Sequence, residues 1–220
     1  MKLSRFSPVC ALLLTALGVG SAQGAAVFFG PTPYLSAADI PAGLYTGGGP
    51  AALEDFEDGT LDFGITVSAG AFVFGPDPHA DSVDLDDGTL DGSGTAGMLI
   101  TTGSTMITFF FPANATAAGV AWTDGPTRTT TFEAFGPGMV SLGTIGPFAL
   151  GDGSSKGGTA EDRFFGARDP NGIAAIRLTN SGASVEADHV QFGVPLPTAA
   201  GMALALLGAG LARKLFKTRQ

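Results

Sequence analysis

Apolar and polar positions alternate over short stretches through most of the chain. Phe63, Ile65 and Val67 alternate with Gly64, Thr66 and Ser68, and Thr130, Phe132 and Ala134 alternate with Thr129, Thr131, Glu133 and Phe135. Period two is the signature of a half-buried strand. The same reading gives strands at Phe63–Ser68, Ala71–Phe74, Met98–Thr101, Thr105–Phe111, Gly119–Thr123, Thr129–Phe135, Met139–Ile145, Arg163–Ala167, Ile173–Thr179 and Val185–Phe192, each bounded by Gly, Pro, Asp or Asn. No segment of residues 26–193 keeps a 3.6-residue apolar period over three turns. Many short strands at roughly ten-residue spacing predict an all-β fold, a single jelly-roll-like β-sandwich. No internal repeat points to a propeller or solenoid.

The two ends follow other patterns. Lys2 and Arg5 precede an apolar run, Val9–Val19, and then small residues, Ala22-Gln23-Gly24 and Gly24-Ala25-Ala26. That is a secretory signal peptide, residues 1–25, removed between Gly24 and Ala26. Cys10, the sole cysteine, leaves with it, so the mature chain has no disulfide and no thiolate nucleophile or ligand. At the other end Val194–Ala212 carries no charge over 19 residues. A helix rising 1.5 Å per residue covers roughly 28 Å there, close to the bilayer's hydrocarbon thickness. A helix packed on a soluble core would show a polar face, and Ala199–Ala212 shows none. The span is placed at 198–212. Arg213, Lys214, Lys217 and Arg219 follow and stay cytoplasmic, which leaves the body outside.

Val194, Pro195, Leu196 and Pro197, then the apolar run, then the Arg-Lys cluster occur in fixed order at the C-terminus, and this resembles the PEP-CTERM family of exosortase substrates in its VPLPA-CTERM variant. Thr198 stands where an alanine is more usual. The acidic Phe56-Glu57-Asp58-Gly59-Thr60-Leu61 and the closing Asp188-His189-Val190-Gln191-Phe192-Gly193 are similar to the sandwich domains of such proteins. The resemblance implies an exported protein of a Gram-negative bacterium. It implies that an exosortase-type membrane enzyme cuts residues 194–220 near the proline motif and releases the body, or transfers it, to the cell surface or exopolysaccharide matrix. The tail would anchor the protein in the inner membrane only until then.

Between the ends lie about 168 residues, enough for one core. They open with a Pro/Gly-rich lead, residues 26–50. Seventeen Phe against one Trp and two Tyr supply core volume without a hydrogen-bonding end. All 20 acidic residues fall in the body, against Arg128, Lys156, Arg163, Arg168 and Arg177, a net −15. That charge excludes nucleic acid and anionic lipid as partners and admits divalent cations.

The densest acidic stretch carries Asp81, Asp84, Asp86, Asp87 and Asp91 on a Gly-rich loop, oxygen donors of the kind Ca²⁺ takes. It is not an EF-hand, since the glycine comes one place early and no glutamate closes the loop. A solvated acidic loop is the other reading. In Glu54–Asp58 alternation points the acids away from Phe56, ahead of a turn at Asp58-Gly59. Catalysis finds little support. His79 lies in a Pro-rich turn, Asp188 and His189 are expected on opposite faces of a strand, and no Gly-x-Ser-x-Gly elbow exposes a serine. Gly151–Gly157 resembles a phosphate loop in composition only. Asn114-Ala115-Thr116 is a formal glycosylation sequon that marks a surface turn. The body reads as a non-enzymatic surface or matrix protein. The alternative is a carbohydrate-binding, lectin-like module, Ca²⁺-dependent through the 81–91 loop, with Trp122 as sugar contact or as core. A secreted hydrolase comes third.

Overall fold

A computed structural model describes residues 24–46, 49–75, 83, 99–123, 128–151, 159–182 and 184–194. The expected signal peptide up to residue 23, His79, the aspartates of the 81–91 loop, residues 152–158 and the tail from Pro195 lie outside them.

Alternation becomes antiparallel sheet. The described residues form β1 (Val27–Pro33), β2 (Ala52–Glu54), β3 (Thr66–Val67), β4 (Ala71–Phe74), β5 (Leu99–Thr102), β6 (Met106–Trp122), β7 (Arg128–Phe135), β8 (Ser141–Leu150), β9 (Arg163–Asn180) and β10 (Val185–Gly193), with three single 3₁₀ turns and no α-helix. The strands make one hydrogen-bonded sheet in the order β4-β5-β10-β6-β9-β7-β8, and β1, β2 and β3 add to β9, β10 and β6.

Two pairs of expected strands are continuous. Thr105–Phe111 and Gly119–Thr123, but for Thr105 and Thr123 themselves, belong to β6, of 17 residues, and Arg163–Ala167 and Ile173–Thr179 to β9, of 18. The two pair along their length, but the register breaks between Phe110 and Ala117. Pro112 and Pro170 fall in this stretch and have no N–H for the ladder. Residues 112–114 and 170–171 are exposed there. Gly172 takes φ +108°, and a Cβ on it would come 2.6 Å from Asn114 Cβ, so only glycine closes this corner.

On one side of the corner β6–β9 is flanked by β3 and β7, on the other by β10 and β1. Both halves bury residues in one core. Ile107, Phe109, Ile176 and Leu178 come from the first half, and Ala118, Val120, Trp122, Phe165 and Ala167 from the second. The ribbon therefore folds the sheet over a single core. Phe132 stacks on Phe165 at 5.7 Å between ring centroids, and Phe148 and Phe28 close around them. Each fully buried Phe contributes about 1.5–3 kcal/mol of transfer free energy.

β1 and β2 lie where no strand was expected. Prolines and the brevity of the alternation hid both. Their partners β9 and β10 carry the pairing.

Candidate functional site

In its second half the ribbon has a back face as well, turned away from the main core. Ala117, Ala121 and Phe164 point there, and Tyr34, Leu44 and Val83 cover them. The lead is a lid on this face. Tyr34 stacks on Phe164 at 5.2 Å, Tyr34 N donates to Asp162 O, and Arg168 Nη1 donates to Gly43 O at 2.8 Å.

Polar groups gather under that lid because of a bulge. β10 pairs Asp188 with Ala121 and Gln191 with Gly119, so β10 has one residue more than its partner in this interval. His189 absorbs it at φ +46°. Ala187, Val190 and Phe192 remain in the main core, while Asp188, His189 and Gln191 make their contacts on the back face. The expectation that Asp188 and His189 face opposite ways is thereby corrected: strict alternation fails across a bulge.

Gln191 Nε2 donates to Tyr34 Oη at 3.2 Å, and Tyr34 Oη lies 3.1 Å from His189 Nδ1. With its oxygen accepting from the amide, the phenol gives its proton to Nδ1, and the neutral imidazole then carries its proton on Nε2. Burial pushes His189 down from 6.5 to about 4, slightly opposed by Asp55, and pushes the Tyr34 phenol up. Among the described residues His189 Nε2 and Gln191 Oε1 have no hydrogen-bond partner.

Asp188 is wholly buried. Its Oδ1 accepts from His189 N at 2.6 Å and its Oδ2 from Val83 N at 2.7 Å. Burial pushes its carboxyl well above the usual range, Glu57 and Asp55 add to this, and the two N–H donors oppose it. The bond from Val83 N holds Val83 against Asp188. Asp81, Asp84, Asp86, Asp87 and Asp91 themselves lie outside the described residues. Among the described residues no three His, Cys, Asp or Glu side chains converge as a metal set.

Glu54 overturns the expected outward acids. It is buried, and its carboxylate turns back to accept from Phe56 N at 2.8 Å and from Asp62 N. Phe56 at φ +61° makes that turn. The turn at Asp58-Gly59 forms, with Gly59 N donating to Phe56 O.

Trp122 is 1% exposed. Its Nε1 donates to Asn180 Oδ1 at 3.2 Å, and Asn180 also accepts from Thr130 Oγ1 and donates to Ser184 O. The sugar-contact reading is corrected: the indole faces the main core, and its polar atom is spent on Asn180. Among the described residues exposed aromatics lie instead at Phe63 and on edge strand β4, where Phe72 and Phe74, 52% and 37% exposed, meet edge to face at 6.1 Å.

A cleft of about 580 Å³ opens beside the lid. Ala25, Val27, Thr46, Arg168, Pro170 and Val194 line it, and a recess of about 230 Å³ containing Tyr45 adjoins it. Val194 thus shares this cleft with Ala25 and Val27. Pro195, Leu196, Pro197, Arg213, Lys214, Lys217 and Arg219 lie outside the described residues. No described helix is long and apolar enough to cross a membrane.

Tyr34 and Gln191 escaped the sequence reading. The only signal for their partnership was polar residues at three of four positions from 188 to 191, which breaks strand alternation.

No family model and no curated protein matches the chain. Among solved structures it is similar to a family 6 carbohydrate-binding module, with 15% identity over 66% of this chain and 94% of that one and a TM-score of 0.35. A score of 0.35 is too low to carry fold or function from one chain to the other.

Proposed function

We propose that the protein is a non-enzymatic, exported surface or matrix protein, whose body is a jelly-roll-like sandwich delivered by its C-terminal tail through an exosortase-type enzyme. The observation that carries this reading is the shared cleft: Ala25 and Val27 line it together with Val194. A shared cleft supports a body whose two ends leave from one side, as a chain held at both ends by a membrane requires. The intact mass of the protein from cells with and without the enzyme tests the reading. We expect a C-terminus between Val194 and Thr198 with the enzyme and at Gln220 without it. Gln220 in both would make the tail an ordinary anchor.

Calcium-dependent polysaccharide binding is the second reading. Exposed Phe72 and Phe74 favour it as an aromatic surface. The 81–91 aspartates favour the cation, and Val83 of that stretch is held by its N–H bond to Asp188 Oδ2. Retention on immobilised polysaccharides, with and without EDTA, tests it.

A further inference from the structure

We propose that Asn171 is a self-modifying site: its side chain closes on the Gly172 nitrogen and leaves an aspartate or isoaspartate at the corner of the β6–β9 ribbon. In the ring closure a bond forms between Gly172 N and Asn171 Cγ, and the Cγ–Nδ2 bond breaks. Nδ2 departs as ammonia, carrying the proton that Gly172 N gives up. Water then opens the succinimide at either carbonyl. Opening at the main-chain carbonyl leaves isoaspartate, with the chain running through the side-chain carbons. Opening at the other leaves aspartate. Water is the sole co-reactant, and no electrons change hands.

Three observations converge. First, the nucleophile is bare. A Cβ on the residue after an asparagine shields the attacking nitrogen, and position 172 admits glycine alone, with φ at +108° and any Cβ 2.6 Å from Asn114 Cβ. Second, the electrophile is free. Asn171 is exposed, and its carboxamide makes no hydrogen bond among the described residues, while its main-chain N–H donates to Asp169 Oδ1 at 2.8 Å. Third, the chain leaves the ladder where the ring closes. Residues 169–172 stand opposite Thr116 alone, between the pairs Arg168–Ala117 and Ile173–Ala115, so no assigned pair has to open. The other two asparagines of the chain lack this combination. Asn180 is buried, precedes Ser181, accepts from Trp122 Nε1 and Thr130 Oγ1 and donates to Ser184 O. Asn114 precedes Ala115, which is buried in the main core. The new carboxylate at 171 falls two residues from buried Asp169, and isoaspartate adds an atom to the backbone between the two halves of the sheet. Both changes weaken the corner.

The test ages the protein purified from its own cells at 37 °C and pH 8, one sample folded and one unfolded in urea. Peptide mapping by mass, with isoaspartyl methyltransferase labelling, reads the conversion of each asparagine. In the folded chain Asn171 is expected to convert several-fold faster than Asn114 and Asn180, with isoaspartate the larger product, and within a few-fold of its own rate in urea. The aged parent is expected to lose a few degrees of Tm. Asn171→Gln, whose longer side chain closes far more slowly, is expected to start at the parent's Tm and keep it. Conversion of Asn171 confined to the urea sample would overturn the proposal, because the folded corner would then hold the two groups apart. Conversion in the folded chain no faster than at Asn114 would overturn it as well.

Discussion

Tyr34 and His189, 155 residues apart, meet at 3.1 Å between Oη and Nδ1 under the lid of the back face. The contact ties the lead to the last strand, and Gln191 completes it from two residues further along. Tyr34→Phe keeps the ring stacked on Phe164 and removes only the oxygen. It leaves Gln191 Nε2 and His189 Nδ1 buried without a partner, which costs about 1–3 kcal/mol. At this chain size that is a fall in Tm of about 3–8 °C by calorimetry. An unchanged Tm would mean the lid is held by ring packing alone.

Trp122 and Asn180 make the corresponding tie in the main core. Trp122→Phe loses ring volume and leaves Asn180 Oδ1 with Thr130 alone, a cost of about 1–3 kcal/mol. The same variant is expected to retain polysaccharides as the parent does, if the parent retains any, because the indole is not at the surface. Phe72→Ala with Phe74→Ala is the pair whose loss should abolish retention while leaving Tm nearly unchanged. Loss of retention in Trp122→Phe at full stability would restore the indole as a contact.

Much of the fold was legible in the sequence. β4 has the expected bounds, and β7 and β10 come within one residue, because each is a short run of strand-forming residues bounded by turn formers. The continuous β6 and β9 were read as halves because Pro112 and Pro170 signal a break, and a bent strand with a lapse in its ladder carries the same signal as two strands. The single sheet follows from that. The site was less legible. A one-residue bulge at His189 decides which side chains meet, and it turns on a backbone angle that no residue pattern announces. Trp122 was open between platform and core because its position in a strand does not say which face lies inward.

Gly119 shows how closely the lid sits. A Cβ there would fall 2.2 Å from Phe164 Cζ, and that ring is held by its stack with Tyr34. Gly119→Ala is expected to destabilise by about 1–3 kcal/mol through overpacking. Gly103→Ala, with nothing within 4 Å, should stay within about 0.5 kcal/mol of the parent. Equal unfolding midpoints in urea for the two variants would contradict the close contact.

Calcium is expected to act on stability before it acts on any ligand. A cation that binds only the folded chain at 100 times its Kd adds about 2.7 kcal/mol. Melting in 1 mM Ca²⁺ and in EDTA should then differ by several degrees, and Asp84→Asn with Asp86→Asn should remove the difference. Identical melting curves with and without Ca²⁺ would end the cation reading and leave the 81–91 loop as a solvated acidic segment.

His189 and Asp188 should leave opposite marks on stability against pH. His189 titrates at about 4 when folded against an ordinary 6.5. Between those values the unfolded chain binds a proton that the folded chain refuses, so stability falls as pH drops from 6.5 to 4. The full shift is worth about 3 kcal/mol at 1.36 kcal/mol per unit. Asp188 has its carboxyl raised, so above its ordinary 3.8 the folded chain keeps a proton that the unfolded chain gives up. Its contribution to stability is therefore lost as pH rises. The two slopes oppose each other in the parent and come apart in His189→Gln, which removes the first alone. The stability difference, parent minus variant, is expected to fall by about 3 kcal/mol from pH 7 to pH 4 in urea titrations. In the folded parent, the His189 ring resonances should not move between pH 8 and pH 5.5. A midpoint near 6.5 in that NMR titration would show that the lid does not seal His189 from water.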